Sequence, residues 1–534
     1  MEEKLPLSPD AQSRDRSDAG VEKNSSARIP TQRERLFAWL LLPAGYLFWC
    51  AFPMSRKPLG AALLLAGLYL LSFCFILRGR VRFGFVQKLV LLSAFLAVAA
   101  ALLWDERGNA FLCFLYCLTA YAYLVYAAAG NTLEEGLSVL VGADLVRALL
   151  VFPFSSFGKL FPALALSRGR GAGRTALRIL LGLFLAVLPT YLVLVLLSYD
   201  DGFASLIDSI FSFDAEKLTV NLLRAVFAIP VAMYCYGLYD SSVSAAPGRR
   251  PAAAGYLERA ERRRIVPAAT AAAAVIPLFS VYVIYFISQW EYYTSAFTGV
   301  LPEGLSYAGY AREGFFQLCA VAGLNFIVLI CLDRFVRRAH ARTVRVLSVT
   351  LALFTLVLIG TAVSKLWLYI SRYGLTPDRV YAAWFLLLLS LLFALVIVGQ
   401  FFPSVKTLPL CLAATVALFL LLVLSGPDRR IAEYNVDRYI SGESGMIDIA
   451  ALDSLGEDAV PEMLRLEAYM AENSPLTREE IADGSWCDYP ENSYGRLVLC
   501  LKARARAERE WYGCTLSHLR CERALRAAGF LPLP

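Results

Sequence analysis

Long apolar runs, separated by short stretches carrying Gly, Pro and charge, recur from residue 36 to residue 425. A helix needs about 20 apolar residues to cross ~30 Å of hydrocarbon. Runs of that kind cover 36–52, 59–77, 87–104, 110–129, 176–198, 218–239, 266–288, 315–332, 346–368, 380–402 and 408–425. None alternates strictly as a barrel strand does. In lipid the backbone must satisfy its own hydrogen bonds, which selects helices. The expectation is an all-α, polytopic transmembrane helical bundle of about 11 spans over residues 36–425.

Residues 137–166 break the pattern. The stretch is apolar, yet Asp144, Arg147 and Lys159 fall inside it and Pro153 and Pro162 interrupt it. It reads as an interfacial or re-entrant helix. Residues 1–35 are polar and rich in Ser, Arg and Asp. They read as a disordered cytoplasmic tail, and not as a cleavable signal peptide, because the run after them opens a multi-helix array. Beyond residue 425 the period becomes that of amphipathic helices. Asp458 precedes Val460, Met463, Leu464 and Leu466, Ser474-Pro475 is a break, and further helices are expected over Gly495–Trp511 and from about Leu516. Residues 426–534 are therefore expected to be a small soluble helical domain.

Charge sets the orientation. The whole chain carries +7, but residues 426–534 hold 13 Lys/Arg and 19 Asp/Glu, so residues 1–425 carry +13. With the N-terminus in the cytoplasm, the loops on that side hold 22 Lys/Arg and the opposite loops 7. Excess Lys/Arg marks the cytoplasmic side. Trp104, Trp290, Trp367 and Trp384 then all fall at outer span ends. An odd number of spans puts the C-terminal domain outside. The expected location is a cell membrane, multi-pass, with the N-terminus cytoplasmic and the C-terminus extracytoplasmic. Basic residues confined to loops argue against nucleic acid. The expected partners are the lipid bilayer and envelope proteins reached through the C-terminal domain.

Eight of the twelve cysteines lie in spans as small buried hydrophobes. The other four, Cys487, Cys500, Cys514 and Cys521, cluster in the C-terminal domain. An even number in an oxidising compartment reads as two disulfides. Pairing Cys487 with Cys521 and Cys500 with Cys514 would close antiparallel helices. The rival is zinc on Cys514, His518, Cys521 and Cys500; with no CxxC, no metal is expected. No Walker loop, GxSxG, HExxH or GxGxxG occurs, and no cofactor is expected.

Arg224 and Lys365 lie within spans, and charge at membrane depth is functional or snorkels to the headgroups. The outer segment 289–317 gathers Glu291, Glu303 and Glu313 with four tyrosines, Tyr292, Tyr293, Tyr307 and Tyr310. It is either an interfacial loop or one edge of a polar cluster in which Glu313 meets Arg224 or Lys365. The catalytic residues, if any, are unknown. Within this region SAFTGVLPEGLSYAGYAREGFFQLCAVAGLN (295–325), with KLWLYISRYGLTPDRVYAAWFLLLL (365–389), PDRRIAEYNVDRYI (427–440) and DSLGEDAVPEML (453–464), resembles a bacterial polytopic membrane family classed as a domain of unknown function. The resemblance covers roughly 175–465 and implies a membrane fold without implying an activity. Three functions stay open: an envelope scaffold or regulatory protein, a transporter or flippase, and a membrane transferase acting at the outer leaflet.

Overall fold

The computed structural model describes residues 30–51, 58–76, 84–104, 107–134, 136, 139–164, 182, 193, 215–244, 253–288, 315–337, 339, 341–402, 404–473, 493–506 and 515–532. Among the described residues every regular element is helical. The helices are α1 (Gln32–Ala51), α2 (Pro58–Ile76), α3 (Phe85–Leu103), α4 (Arg107–Ala128), α5 (Val141–Ser155), α6 (Phe157–Leu164), α7 (Ala215–Ser244), α8 (Ala253–Arg262), α9 (Ala268–Ser288) and α10 (Phe315–Phe335). They continue with α11 (Ala341–Tyr373), α12 (Pro377–Phe401), α13 (Thr407–Leu424), α14 (Pro427–Ile440), α15 (Ile449–Ser454), α16 (Val460–Asn473), α17 (Ser493–Arg506) and α18 (Leu516–Ala527).

Eight of these are long and apolar enough to cross a membrane: α3, α4, α7 and α9 to α13. Each coincides with an expected run. The expected runs at 36–52 and 59–77 are helical as α1 and α2, of which α2 has a shorter apolar stretch and α1 falls outside the eight. The run at 176–198 lies, apart from two positions, outside the described residues. Residues 141–164 form no straight span, because the helix breaks at Ser156 between α5 and α6.

The chain divides into two compact units, 1–45 with 157–236 and 46–156 with 237–534. In the first, Thr31 and Glu34 form a reciprocal capping box: the Thr31 amide donates to the Glu34 carboxylate at 2.7 Å and the Glu34 amide to Thr31 Oγ1 at 3.3 Å. Gly45 lies against the Ala228 backbone, where a Cβ would collide. Phe37 and Tyr236, both buried, stack with ring centroids 6.4 Å apart.

In the second unit small residues let helices approach. Ala94, Ala97 and Ala100 of α3 meet Cys113, Cys117 and Ala120 of α4, and Phe419 and Val423 of α13 close the same cluster. Van der Waals packing of this sort drives helix association where lipid is as apolar as the partner helix. One chain of polar side chains links three helices of the bundle. Tyr282 donates to Asn325 Oδ1 at 2.5 Å, Asn325 Nδ2 to Thr355 Oγ1 at 2.8 Å, and Thr355 to the Leu351 carbonyl at 2.7 Å. This chain joins α9, α10 and α11.

With 33 residues at 1.5 Å each, α11 is roughly 50 Å long, well beyond the ~30 Å hydrocarbon core. The last five helices pack beside the turn that follows its C-terminal end. They share a hydrophobic core of Ile431, Val436, Met463, Leu466, Leu497 and Leu525 among others, onto which Leu375 and Val380 also pack.

Candidate functional site

Of the residues expected from the sequence to carry function, only some fall within the described residues. Glu291, Glu303 and Glu313 lie outside the described residues. Arg224 is half-buried on α7, where its guanidinium donates to Asn221 Oδ1 one turn earlier at 3.2 Å. Lys365 is buried on α11. Arg224 belongs to the first unit and Lys365 to the second. Of the four C-terminal cysteines, Cys487 and Cys514 lie outside the described residues. Cys521 is buried in α18, and Cys500 on α17 is a half-buried free thiol whose pKa burial pushes up. Among the described residues no three metal-ligating side chains converge.

Two other arrangements stand out. The first lies where α4 and α7 both end. Asn131 Nδ2 donates to the Ser242 carbonyl at 2.9 Å and the Tyr126 carbonyl at 3.3 Å, tying the two helix ends together. Ser241 on α7 donates to the Phe152 carbonyl at 2.8 Å, tying α5 to the same point. Inside this junction Asp144, 2% exposed, accepts from the Tyr126 hydroxyl at 2.8 Å and from the Leu133 amide at 3.3 Å. One turn on, α5 widens into a π-helical segment, Arg147–Val151, a local irregularity that frequently accompanies functional sites. Arg147 is its first residue. Its guanidinium carbon lies 5.5 Å from the Tyr126 ring centre, 5.2 Å from Phe152 and 5.7 Å from Tyr256 on α8. Sequence reading had Asp144 and Arg147 only as interruptions of an apolar run.

The second arrangement is the seat of the C-terminal helices on the membrane helices. Between α11 and α12, Gly374 takes a left-handed conformation (φ 77) and its amide reaches back to the Ile370 carbonyl at 2.8 Å, a glycine-closed helix end. That turn exposes Leu375, and Asn435 of α14 grips it from both sides: the Leu375 amide donates to Asn435 Oδ1 at 2.9 Å and Asn435 Nδ2 to the Leu375 carbonyl at 2.8 Å. Arg438, one turn later on α14, donates to the Ser371 carbonyl at 2.7 Å. On the other side Gly426 (φ 62) turns the chain from α13 into α14 where a Cβ would stand 2.8 Å from the Trp104 ring, and the Arg520 guanidinium of α18 lies 5.5 Å from the centre of that ring. Trp104, expected as a belt aromatic, is thus part of the seat.

Within the C-terminal cluster, buried carboxylates are answered by the last two helices. Glu467 accepts from the Tyr494 hydroxyl at 3.1 Å, Asp458 accepts from Ser517, and Glu457 Oε1 lies 2.9 Å from His518 Nδ1. Glu462 lies at 2.9 Å from Arg465, yet burial outweighs that cation and pushes its carboxyl above its ordinary range.

A model for a family described as a domain of unknown function, DUF4153, matches residues 65–466. The match takes in the Arg147 junction and the contact between Asn435 and Leu375, ends halfway along α16, and leaves out α17 and α18. No curated protein and no solved structure matches the chain.

Proposed function

The chain belongs to the DUF4153 family, and on that premise we propose that it is an envelope-associated scaffold or regulatory protein of a bacterial cell membrane. In this reading the N-terminus is cytoplasmic, and the C-terminal helices form a platform fixed on the extracytoplasmic side that engages envelope proteins. The observation that carries it is the two-sided grip of Asn435 on Leu375. A soluble domain that merely hangs from a last span needs no such contact. One whose first helix is bonded to the backbone of another membrane helix pair presents a constant surface and moves with the bundle.

The loop charge bias of 22 to 7 supports the orientation. The seat is made from the α11–α12 turn, the α3 end at Trp104 and the exit from α13, three places that this topology assigns to one side. Met446, 88% exposed between α14 and α15, lies on the part of the platform open to solvent.

A photo-crosslinking amino acid placed at Met446 of the full chain in cells tests the reading. A discrete protein adduct, lost when Asn435→Ala releases the platform, supports it. No protein adduct, or substrate-dependent flux by the purified protein in vesicles, rejects it in favour of a transporter.

A further inference from the structure

We propose that Arg147 is the anchor of a binding site for the phosphate of an anionic phospholipid headgroup, built at the junction of α4, α5, α7 and α8. The inference does not rest on the platform; it concerns another set of residues.

The guanidinium is unusual in what it lacks. The Arg147 side chain makes no hydrogen bond or ion pair with any described residue, its Nη1 is sealed from solvent without an acceptor, and the residue as a whole stays partly exposed. Asp144 feels the charge of Arg147 without pairing with it directly. That carboxylate faces Tyr126 and the Leu133 amide, and no ion pair joins it to Arg147. A cation held in place with its donors unused is costly unless an anion completes it. Planar guanidinium forks match phosphate oxygens two at a time.

The walls favour a lipid over a free ion. Tyr126, Phe152 and Tyr256 enclose the cation with aromatic surface, Tyr126 and Phe152 themselves packing edge-on at 4.8 Å. Val146, Leu150, Val151 and Phe154 of the same α5 are exposed apolar side chains, suited to acyl chains beside the headgroup. Tyr256 is carried by α8, a short amphipathic helix in which Glu258 and Glu261 balance Arg259 and Arg262, and Arg262 pairs with Glu258 at 2.8 Å. Arg263 and Arg264 follow it directly, and arginines at a membrane surface attract anionic lipid. Next to it Arg264 and Arg337 pin the loops before α9 and after α10 to each other, donating to the Val336 and Ile265 carbonyls at 3.2 and 3.1 Å.

The purified full chain in detergent, titrated with phosphatidylglycerol or phosphatidylcholine and read by native mass spectrometry, tests the proposal. Wild type should retain phosphatidylglycerol in preference, and Arg147→Gln should weaken that binding about tenfold or more, as loss of a hydrogen bond to a charged group does, with phosphatidylcholine unaffected. Asp144→Asn, which keeps an acceptor for Tyr126 while removing a competing negative charge, should tighten phosphatidylglycerol binding. It serves as the test should Arg147→Gln fail to fold. Equal retention of the two lipids by wild type, an Arg147→Gln protein with its preference intact, or an Asp144→Asn protein binding no more tightly would overturn the site. Binding of inorganic phosphate that abolishes the lipid preference would overturn the lipid assignment in favour of a free phosphate ion.

Discussion

Asn435→Ala removes both hydrogen bonds to Leu375 and leaves a half-buried amide and carbonyl on the α11–α12 turn without a protein partner. Each bond contributes about 1 kcal/mol net, and stranding its partner group adds to the loss, so docking should weaken by about 2–3 kcal/mol. At 1.4 kcal/mol per tenfold, that is roughly a 30- to 140-fold rise in the undocked population. The Leu375 amide is itself the probe, since its only bond is to Asn435 Oδ1 among the described residues. Hydrogen exchange on the full chain in detergent should show a peptide over residues 374–380 exchanging faster by about that factor. The core of the platform around Met463 and Leu497 should keep its protection. Gly374→Ala attacks the same contact from the other side: it strains a left-handed position and drives a Cβ into the Asn435 amide. Combining the two substitutions removes the collision and leaves the strain, so the double variant should lose less than the sum. Unchanged exchange at 374–380, or acceleration spread evenly through α14 to α18, would refute the docking argument.

Raised above its ordinary value of 4.5 by burial, the Glu462 carboxyl binds its proton more tightly in the fold than in the unfolded chain. Stability should therefore decline as pH rises from that ordinary value through the folded one, and Glu462→Gln should flatten the decline in thermal melts at acidic and neutral pH. The proposed outer polar cluster predicts that Arg224→Ala and Glu313→Gln each impair the protein and combine less than additively in a double-mutant cycle; additive effects on stability would reduce 289–317 to an interfacial loop. The two proposed disulfides predict that non-reducing peptide maps find Cys487, Cys500, Cys514 and Cys521 all bonded, whereas one zinc per chain with four reduced thiols would select the metal.

Element existence was legible wherever a single physical demand ruled the segment. Lipid forces a long apolar helix with all its backbone bonds internal, so each described span sits where the apolar run placed it. The C-terminal helices were legible for a similar reason: Val460, Met463 and Leu466 repeat on one face and all are buried. Expected roles failed where one residue answered two demands. Trp104 satisfies the rule for a belt aromatic, and only the approach of Gly426 and Arg520 makes it part of the seat. A signal existed in the glycine-proline pair that follows the last apolar run, Gly426-Pro427, which turns the chain abruptly from α13 into α14.

Asp144 and Arg147 show the limit most clearly. Along the sequence they lower the apolarity of one run, and hydropathy can treat a charge only as a subtraction. In three dimensions their neighbours come from far along the chain, Tyr126 from the end of α4 and Tyr256 from α8, and the π-helical turn that aims Arg147 at them has no periodic signature. The distinction between a charge that breaks a span and one held for a ligand is a matter of what remains unpaired once the helices close. Asp144 is satisfied and Arg147 is not. That difference, invisible to any count of charges, is why the arginine and not the carboxylate marks the site.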